Sequence, residues 1–361
     1  MPIRLDPSPT HFVRFPLPNA SGRGLRGGVL SQVMHILFDL SMRKRSQPNT
    51  HFTRLALLTT LLTAGLIVFG AVVRVTDSGL GCGNQWPLCD GRVVPPLDNL
   101  TAWIEWSHRL FAFLIGALGL GMLAMALRNY RHQKRMVITA TLIAAAAFAV
   151  QSFLGALVVV MDLPPTMVTL HLGTAMLLLA SLLLAAIAAW HKPLSSSYGR
   201  DQVTLLAYLT TALALVIILT GALVRGSGAT LACTDWPLCN GSLLPIDQGE
   251  LETVHMLHRL AVGGLGASLG LLVWSVFRAQ RVSLVRWLAV GALLAYLAQA
   301  LVGAVFVATS AAPIWGATHV GLAALTWSLL VALSAIDTLN SRSLSQEITQ
   351  KQDHPVWTPQ S

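Results

Sequence analysis

The chain has 361 residues, of which 54% are hydrophobic and 11% are charged, and its formal net charge is +9. Because soluble globular domains carry about 25% charged residues, this composition excludes an ordinary soluble protein and indicates an integral membrane protein. The lysines and arginines cluster in the N-terminal segment and in short connections between apolar runs, as they do in cytoplasmic loops. We therefore expect no nucleic-acid partner.

Residues 1–50 are rich in Pro, Gly and Arg and show no sustained hydrophobic periodicity. A transit peptide would share the arginines and the shortage of acidic residues. The weak amphipathicity favours the alternative, an upstream extension of a protein whose working start is Met42, followed by Arg43, Lys44 and Arg45. We expect this extension to be disordered and cytoplasmic.

Eight apolar runs follow, each near the roughly 20 residues that a bilayer requires. They cover 54–75, 103–127, 137–160, 166–190, 203–225, 252–277, 287–309 and 315–337. The connections after the second, fourth and sixth runs are basic, whereas the other connections contain one basic residue, Arg92. The positive-inside rule therefore places both termini in the cytoplasm and the loops with cysteines outside.

An internal repeat divides the runs into two halves of four. In each half a Gly-Ala-x-Val-Arg motif leads to a Trp-Pro-Leu-Cys loop, then to His-Arg, and finally to a Gln and a His twenty residues apart. The matched positions are Gly70 and Gly221, Cys82 and Cys233, Cys89 and Cys239, His108 and His258, Gln151 and Gln299, and His171 and His319.

This repeat predicts an all-α integral membrane protein built from two tandem four-helix bundles, related by a pseudo-twofold axis along the membrane normal. The predicted units are the extension 1–50, the halves 51–200 and 201–338, and a polar, disordered cytoplasmic tail over 339–361.

Two repeated histidines lie inside the apolar spans of each half, where a histidine is costly and suggests a function. They are His108 and His171 in the first half, and His258 and His319 in the second. Because their spans begin at the same face, each pair can ligate a haem iron from both sides. Zinc would need three or four ligands close together. Histidines that only hydrogen-bond between helices, another metal and a proton relay remain alternatives.

Four arginines stand beside these histidines in the repeat. Arg109 and Arg259 directly follow a histidine, whereas Arg74 and Arg225 end the first span of each half. Such side chains either extend to the membrane interface or bind haem propionates through charge-assisted hydrogen bonds.

Glu105 breaks the symmetry, because its counterpart in the second half is His255. It lies three residues before His108, on the same helix face. Either it faces water at the outer edge of the span, or it removes protons from a reacting group and stabilises positive charge. In the second case the first half performs chemistry and the second half holds a cofactor.

The cysteines form two pairs in the outer loops, Cys82 with Cys89 and Cys233 with Cys239. An oxidising compartment favours disulfides, which could staple each loop or exchange electrons with a thiol partner. Neither pair has the CxxC spacing, and no CxxCH motif for covalent haem attachment occurs.

These motifs, from Gly70 to His319, resemble those of the haem A synthase family over residues 54–337. The resemblance implies a bacterial inner-membrane oxidoreductase that oxidises the C8 methyl group of haem O to a formyl group by successive hydroxylations, for the assembly of cytochrome oxidase. It implies that His108 and His171 flank the substrate haem beside an essential Glu105. It also implies that His258 and His319 ligate a haem b, and that each cysteine pair is a disulfide.

Other classes fit parts of the pattern. A dihaem b-type electron-transfer cytochrome, acting as a quinone or thiol oxidoreductase, would share the paired histidines but has less reason to replace a glutamate by a histidine. A thiol-disulfide oxidoreductase would not need intramembrane histidines, and a transporter would show Gly or Pro breaks in mid-span. Beyond haem O and the bilayer, the expected partners are the enzyme that makes haem O, an unidentified electron acceptor and a second copy of the chain.

Overall fold

A computed structural model describes residues 50–131, 134–191 and 200–353, with side chains described as far as residue 341. Within these ranges the chain forms eight long helices. They are α1 (Thr50–Val75), α2 (Leu100–Tyr130), α3 (Arg135–Val160), α4 (Pro165–Trp190), α5 (Gln202–Gly226), α6 (Glu250–Arg278), α7 (Ser283–Ala308) and α8 (Pro313–Asp353). All eight are long and apolar enough to cross a membrane, which confirms the predicted all-helical class.

The helices begin at local sequence signals. Asn99 caps α2 by accepting a hydrogen bond from the Ala102 N–H at 3.1 Å, and Asp201 caps α5 through the N–H groups of Val203 and Thr204. These side chains satisfy backbone donors that the first turn of a helix leaves unpaired. The apolar runs therefore set where the helices lie, and short polar residues set where two of them start.

The repeat extends to the backbone of the short connections. Asp162 and Leu163 join α3 to α4, and Ser310 and Ala311 join α7 to α8, and all four residues have positive φ angles. Residues other than glycine seldom adopt the left-handed backbone conformation, so two such residues in a row at matched places are uncommon. The two halves therefore use the same turn.

The helices of each half close into a ring. In the first half α1 packs on α2, α2 on α3, α3 on α4, and α4 on α1; in the second half α5 to α8 repeat this pattern. The halves meet where α1 contacts α8, α4 contacts α5, and α4 contacts α8. Exchanging the halves leaves this set of contacts unchanged, which is consistent with the predicted pseudo-twofold relation.

The central helices α4 and α8 are the most buried of the eight. They are joined directly, because the Trp327 indole N–H on α8 donates to the Met176 carbonyl on α4 at 2.9 Å. An indole N–H buried in an apolar core needs such an acceptor. The interface between the halves is therefore part of the hydrophobic core.

The last helix extends further than the sequence analysis predicts. It continues to Asp353, so residues 340–353 are helical where we expected a disordered tail. The segment contains neither Pro nor Gly, and several Gln, Glu and Lys residues favour helix. Residues 1–49 and 354–361 lie outside the described residues, and so do the predictions made for them.

A buried ion pair fixes the end of the second half opposite to the cysteine loops. The Arg281 guanidinium, between α6 and α7, pairs with Asp337 on α8 at 3.1 Å and also contacts Asp201. Thr204 on α5 donates to the same Asp337 carboxylate at 2.5 Å. Arg281 is 3% exposed and Asp337 is 1% exposed. This network connects α5, α8 and the α6–α7 turn.

We expect Asp337→Ala to destabilise the protein by about 3 kcal/mol or more, because it leaves a buried guanidinium without its carboxylate. Thermal unfolding of the full chain in detergent measures the loss. The control is Asp247→Ala, which removes an exposed carboxylate from a loop. Equal unfolding temperatures for the two variants would contradict the structural role of the pair.

Candidate functional site

Each repeated histidine packs the edge of its imidazole ring against a glycine of the neighbouring helix. A Cβ atom built on that glycine would lie 3.0–3.2 Å from the ring Cε1, closer than an ordinary van der Waals contact. The pairs are Gly70 with His108, Gly155 with His171, Gly221 with His258, and Gly303 with His319. The sequence showed these glycines as repeat positions, but only the packing shows that they seat the imidazoles.

The histidines meet in pairs within each half. His108 on α2 interacts electrostatically with His171 on α4, and His258 on α6 interacts in the same way with His319 on α8. Two imidazoles on helices of one bundle form the ligand set that a six-coordinate haem iron uses. No group of three or more His, Cys, Asp or Glu suited to a metal ion occurs among the described residues.

In the second half both imidazoles are oriented by hydrogen bonds at Nδ1. The Thr220 hydroxyl donates to the Ile217 carbonyl at 2.9 Å, so its oxygen accepts from His258 Nδ1–H at 3.0 Å. His319 Nδ1–H donates to the Gln299 carbonyl at 3.0 Å. With the proton on Nδ1, each Nε2 keeps a lone pair for a metal. These residues fit a bis-histidine haem.

In the first half the partners differ. The Gln151 side-chain amide donates to His171 Nε2 at 3.1 Å. Two buried polar atoms at this site have no hydrogen-bond partner within the described ranges, namely His108 Nδ1 and Gln151 Oε1, whereas His171 interacts with the backbone of Gln151. Unsatisfied buried atoms are rare in folded proteins and call for an explanation. The two pairs of histidines therefore pack against matching glycines but have different hydrogen-bond partners.

Glu105 does not face water, because only 3% of its surface is exposed. One carboxylate oxygen accepts a hydrogen bond from the Cys82 N–H at 2.8 Å, and the other pairs with the Arg109 guanidinium. Gly81 lets the loop approach, since a Cβ there would lie 2.4 Å from the Thr101 carbonyl. The outer-edge alternative for Glu105 is thus excluded by its burial beneath the loop.

Arg109 and Arg259 hold the two cysteine loops. Arg109 Nη1 donates to the carbonyls of Gln85 at 3.2 Å and Leu88 at 3.0 Å. Arg259 makes matching contacts with the carbonyls of Cys233, Asp235 and Leu238. At the position of Glu105, the second half has His255, which is 5% exposed and hydrogen-bonded to the backbone of Ala229.

Arg74 and Arg225 form a different pair. They come from α1 and α5, one from each half, and their charges interact. Arg225 Nε is buried and has no hydrogen-bond partner among the described residues. Two like charges that approach each other in a partly buried place favour an anion between or beside them. Arg74 also interacts with the Asp77 carboxylate, so Arg225 is the guanidinium of this pair that keeps a donor open to an anion.

Both cysteine pairs are disulfides, Cys82–Cys89 and Cys233–Cys239, and none of the four cysteines is free. All four are at most 1% exposed. The loops match in detail, because the Trp86–Pro87 and Trp236–Pro237 peptide bonds are both cis. The burial of the sulfurs favours structural staples over thiol exchange with a partner in solution.

The second loop carries a further electrostatic feature. Asp235 accepts hydrogen bonds from the N–H groups of Gly241 and Asn240, which lower the pKa of this exposed carboxyl below its usual value. In the first loop the neutral Gln85 takes this place and accepts from the Gly91 N–H at 2.8 Å. In each loop, a side chain near its start therefore accepts a hydrogen bond from a backbone N–H near its end.

Comparison with known proteins gives one consistent result. Residues 53–331 match the family model COX15-CtaA, described as a cytochrome oxidase assembly protein. The chain is 36% identical to the heme A synthase of Shouchella clausii over 77% of this chain and 94% of that protein. It is 31% identical to that of Alkalihalophilus pseudofirmus, over 79% and 98% of the two chains, and 30% identical to that of Bacillus mycoides, over 82% and 97%.

We expect Gly221→Ala to lower the amount of haem that co-purifies with the full-length protein. The added methyl group would displace the His258 ring by a few tenths of an ångström, and iron–imidazole bonds tolerate only about 0.2 Å. The absorbance of the Soret band per protein measures this loss.

The matched control is Gly263→Ala on α6, where a Cβ meets nothing within 4 Å. This change should keep the haem, and it favours the helix because alanine has the higher helix propensity. Equal haem contents in the two variants would show that the glycine contact does not position the imidazole.

Proposed function

Because this chain belongs to the COX15-CtaA family of cytochrome oxidase assembly proteins, we propose that it converts haem O into haem A. In this proposal it is a membrane-bound oxidoreductase that oxidises the C8 methyl group of haem O by successive hydroxylations to a gem-diol, which loses water to give the formyl group. The observation that carries the proposal is the divergence of two duplicated histidine sites, of which only the first has a buried carboxylate beside it.

The second half, residues 201–338, is proposed to hold a haem b. His258 and His319 would ligate it, because each offers an Nε2 lone pair while its Nδ1–H is held by Thr220 or by the Gln299 carbonyl. When bound, haem b supplies a one-electron redox centre. Electrons taken from the substrate could leave through this half toward an acceptor that the sequence does not identify.

The first half, residues 51–200, is proposed to bind haem O between His108 and His171. Glu105 lies one helical turn from His108 and is screened from water by the loop and Arg109. Oxidation of a methyl group releases protons, and a carboxylate within reach of the reacting group can accept them. Arg109 and the Cys82 N–H hold that carboxylate in place, so they position the proposed base.

Arg74 and Arg225 are the proposed partners of haem propionates. Their charges approach each other at the interface of the halves, and Arg225 Nε is a buried donor without an acceptor. A carboxylate there would satisfy that donor and separate the two positive charges. The same role for Arg109 and Arg259 stays a prediction, since their terminal nitrogens are bound to loop carbonyls.

The proposed orientation places the cysteine loops outside a bacterial cell membrane, with both termini in the cytoplasm. The distribution of basic residues among the connections supports it. Haem O carries a farnesyl tail, so the substrate could enter sideways from the bilayer without moving that tail through water. The enzyme that makes haem O is the proposed source of the substrate.

We expect Glu105→Gln to abolish haem A formation while haem b is retained, because the amide cannot accept the released protons. The protein is expressed in cells that make haem O, and its extracted haems are identified by chromatography and mass spectrometry. Glu250→Gln, which changes an exposed glutamate at the start of α6, is the control. Haem b as the sole haem of the unmodified protein would favour the dihaem electron-transfer cytochrome instead.

We also expect the two halves to respond differently to loss of a histidine. His258→Ala should deplete the retained haem b, because it removes one of the two residues that would hold it, and His108→Ala should abolish turnover while haem b remains. The same haem extraction distinguishes these results. Normal haem A production by the His108→Ala variant would contradict the assignment of the first half as catalytic.

A further inference from the structure

We propose that Phe69, Gln151 and Leu178 are positioning residues that make the first site release its haem, whereas their counterparts make the second site retain one. The inference rests on the proposed function, since a substrate site must exchange its haem and a cofactor site must keep it. It is argued from three matched positions at which the two halves differ in their contacts with the repeated histidines or with the glutamines beside them.

The first position precedes the glycine that seats the second-helix histidine. In the second half it is Thr220, whose oxygen accepts from His258 Nδ1–H at 3.0 Å. In the first half it is Phe69, whose ring lies 5.9 Å from the His108 ring and offers no acceptor. His108 Nδ1 is accordingly buried and without a partner.

The loss of this hydrogen bond weakens the imidazole as a ligand. An acceptor at Nδ1–H raises the basicity of the other ring nitrogen and fixes the ring, and such outer partners are worth about 10–100-fold in metal affinity. His258 has this support from Thr220 and His108 does not. The iron ligand of the first half is therefore the weaker of the two.

The second position is seven residues after the fourth-helix histidine. In the second half Thr326 lies there, and its hydroxyl is 3.5 Å from Gln299 Oε1. In the first half Leu178 lies there, 4% exposed, and it can make no hydrogen bond to Gln151. The Gln299 side chain thus has a polar neighbour on α8, and the Gln151 side chain has none on α4 at this point.

The third position is the glutamine itself. Gln299 contributes its backbone carbonyl to His319 Nδ1–H, which leaves Nε2 open. Gln151 also offers its backbone to His171, but in addition its side-chain amide donates to His171 Nε2 at 3.1 Å, the atom that would bind iron. Binding of iron at His171 requires this amide to leave, and the amide is a competitor that returns when the haem departs.

The Gln151 amide is poised to move. Its Oε1 atom is buried without a partner, so the conformation that covers His171 is not fully satisfied and has a modest advantage over others. While it donates to Nε2, it also keeps the His171 proton on Nδ1, the tautomer that ligation through Nε2 needs. Gln151 therefore masks the ligand without inactivating it.

The test measures release of haem from the full-length protein in nanodiscs. The protein is loaded with ferric haem B at both sites and mixed with excess apomyoglobin, which takes up free haem. We expect a fast phase from the first site and a slow phase from the second. His108→Ala should remove the fast phase, and His258→Ala should remove the slow phase.

Three substitutions then test the first and third positions. Phe69→Thr, which provides the missing acceptor, should slow the fast phase about tenfold or more, and Gln151→Leu should slow it about fivefold, the effect of one net hydrogen bond. Thr220→Val, nearly isosteric, should speed the slow phase about tenfold or more. Gln299→Leu is the control for the fast phase and should leave it unchanged, because this substitution alters only the second half.

The Soret band of the unaltered site reports that each variant is folded. If Phe69→Thr and Gln151→Leu leave the fast phase unchanged, the inference is overturned. If the unmodified protein still converts haem O to haem A in the same experiment, the proposed function stands. Failure of both sites to take up haem would overturn the proposed function and the inference together.

Discussion

The contact between a glycine of one helix and an imidazole edge of the next determines the rest of the site. It occurs four times, and in each case an added Cβ would lie 3.0–3.2 Å from the ring. An imidazole inside an apolar span is expensive, and close approach of the neighbouring backbone fixes the ring where a partner can use its nitrogens. Because the contact joins α1 to α2 and α3 to α4, with the same pairs in the second half, it links the packing of each bundle to the placement of its histidines.

On this common scaffold a few side chains give the halves different properties. Thr220 and Thr326 in the second half correspond to Phe69 and Leu178 in the first. His258 Nδ1 therefore has an acceptor that His108 Nδ1 lacks, and Gln299 Oε1 has a polar neighbour that Gln151 Oε1 lacks. In our proposal, the repeat supplies two similar sites, and the missing hydrogen-bond partners at one of them lower its affinity for haem.

The outer loops are bound to the helical core by charged side chains. A disulfide closes each loop, and Arg109 or Arg259 ties loop carbonyls to the helix that carries a histidine. In the first half the same arginine and the Cys82 N–H hold Glu105 in a buried place. A buried carboxylate is stable only with such partners, so the disulfide loop has a structural role beside the proposed chemistry.

The sequence by itself determined the eight spans, the two halves, the four paired histidines, the cysteine pairs and the odd position of Glu105, because apolar run length, repeats and spacing are local properties of the chain. Only the tertiary structure decided that Glu105 is buried, that Arg109 and Arg259 bind loop carbonyls, that the charges of Arg74 and Arg225 interact, and that the Gln151 amide donates to His171 Nε2. It also showed helix where the sequence analysis expected a tail after residue 339. These facts depend on contacts between residues far apart in the chain, and the repeat pattern fixes which positions correspond but not which atoms meet.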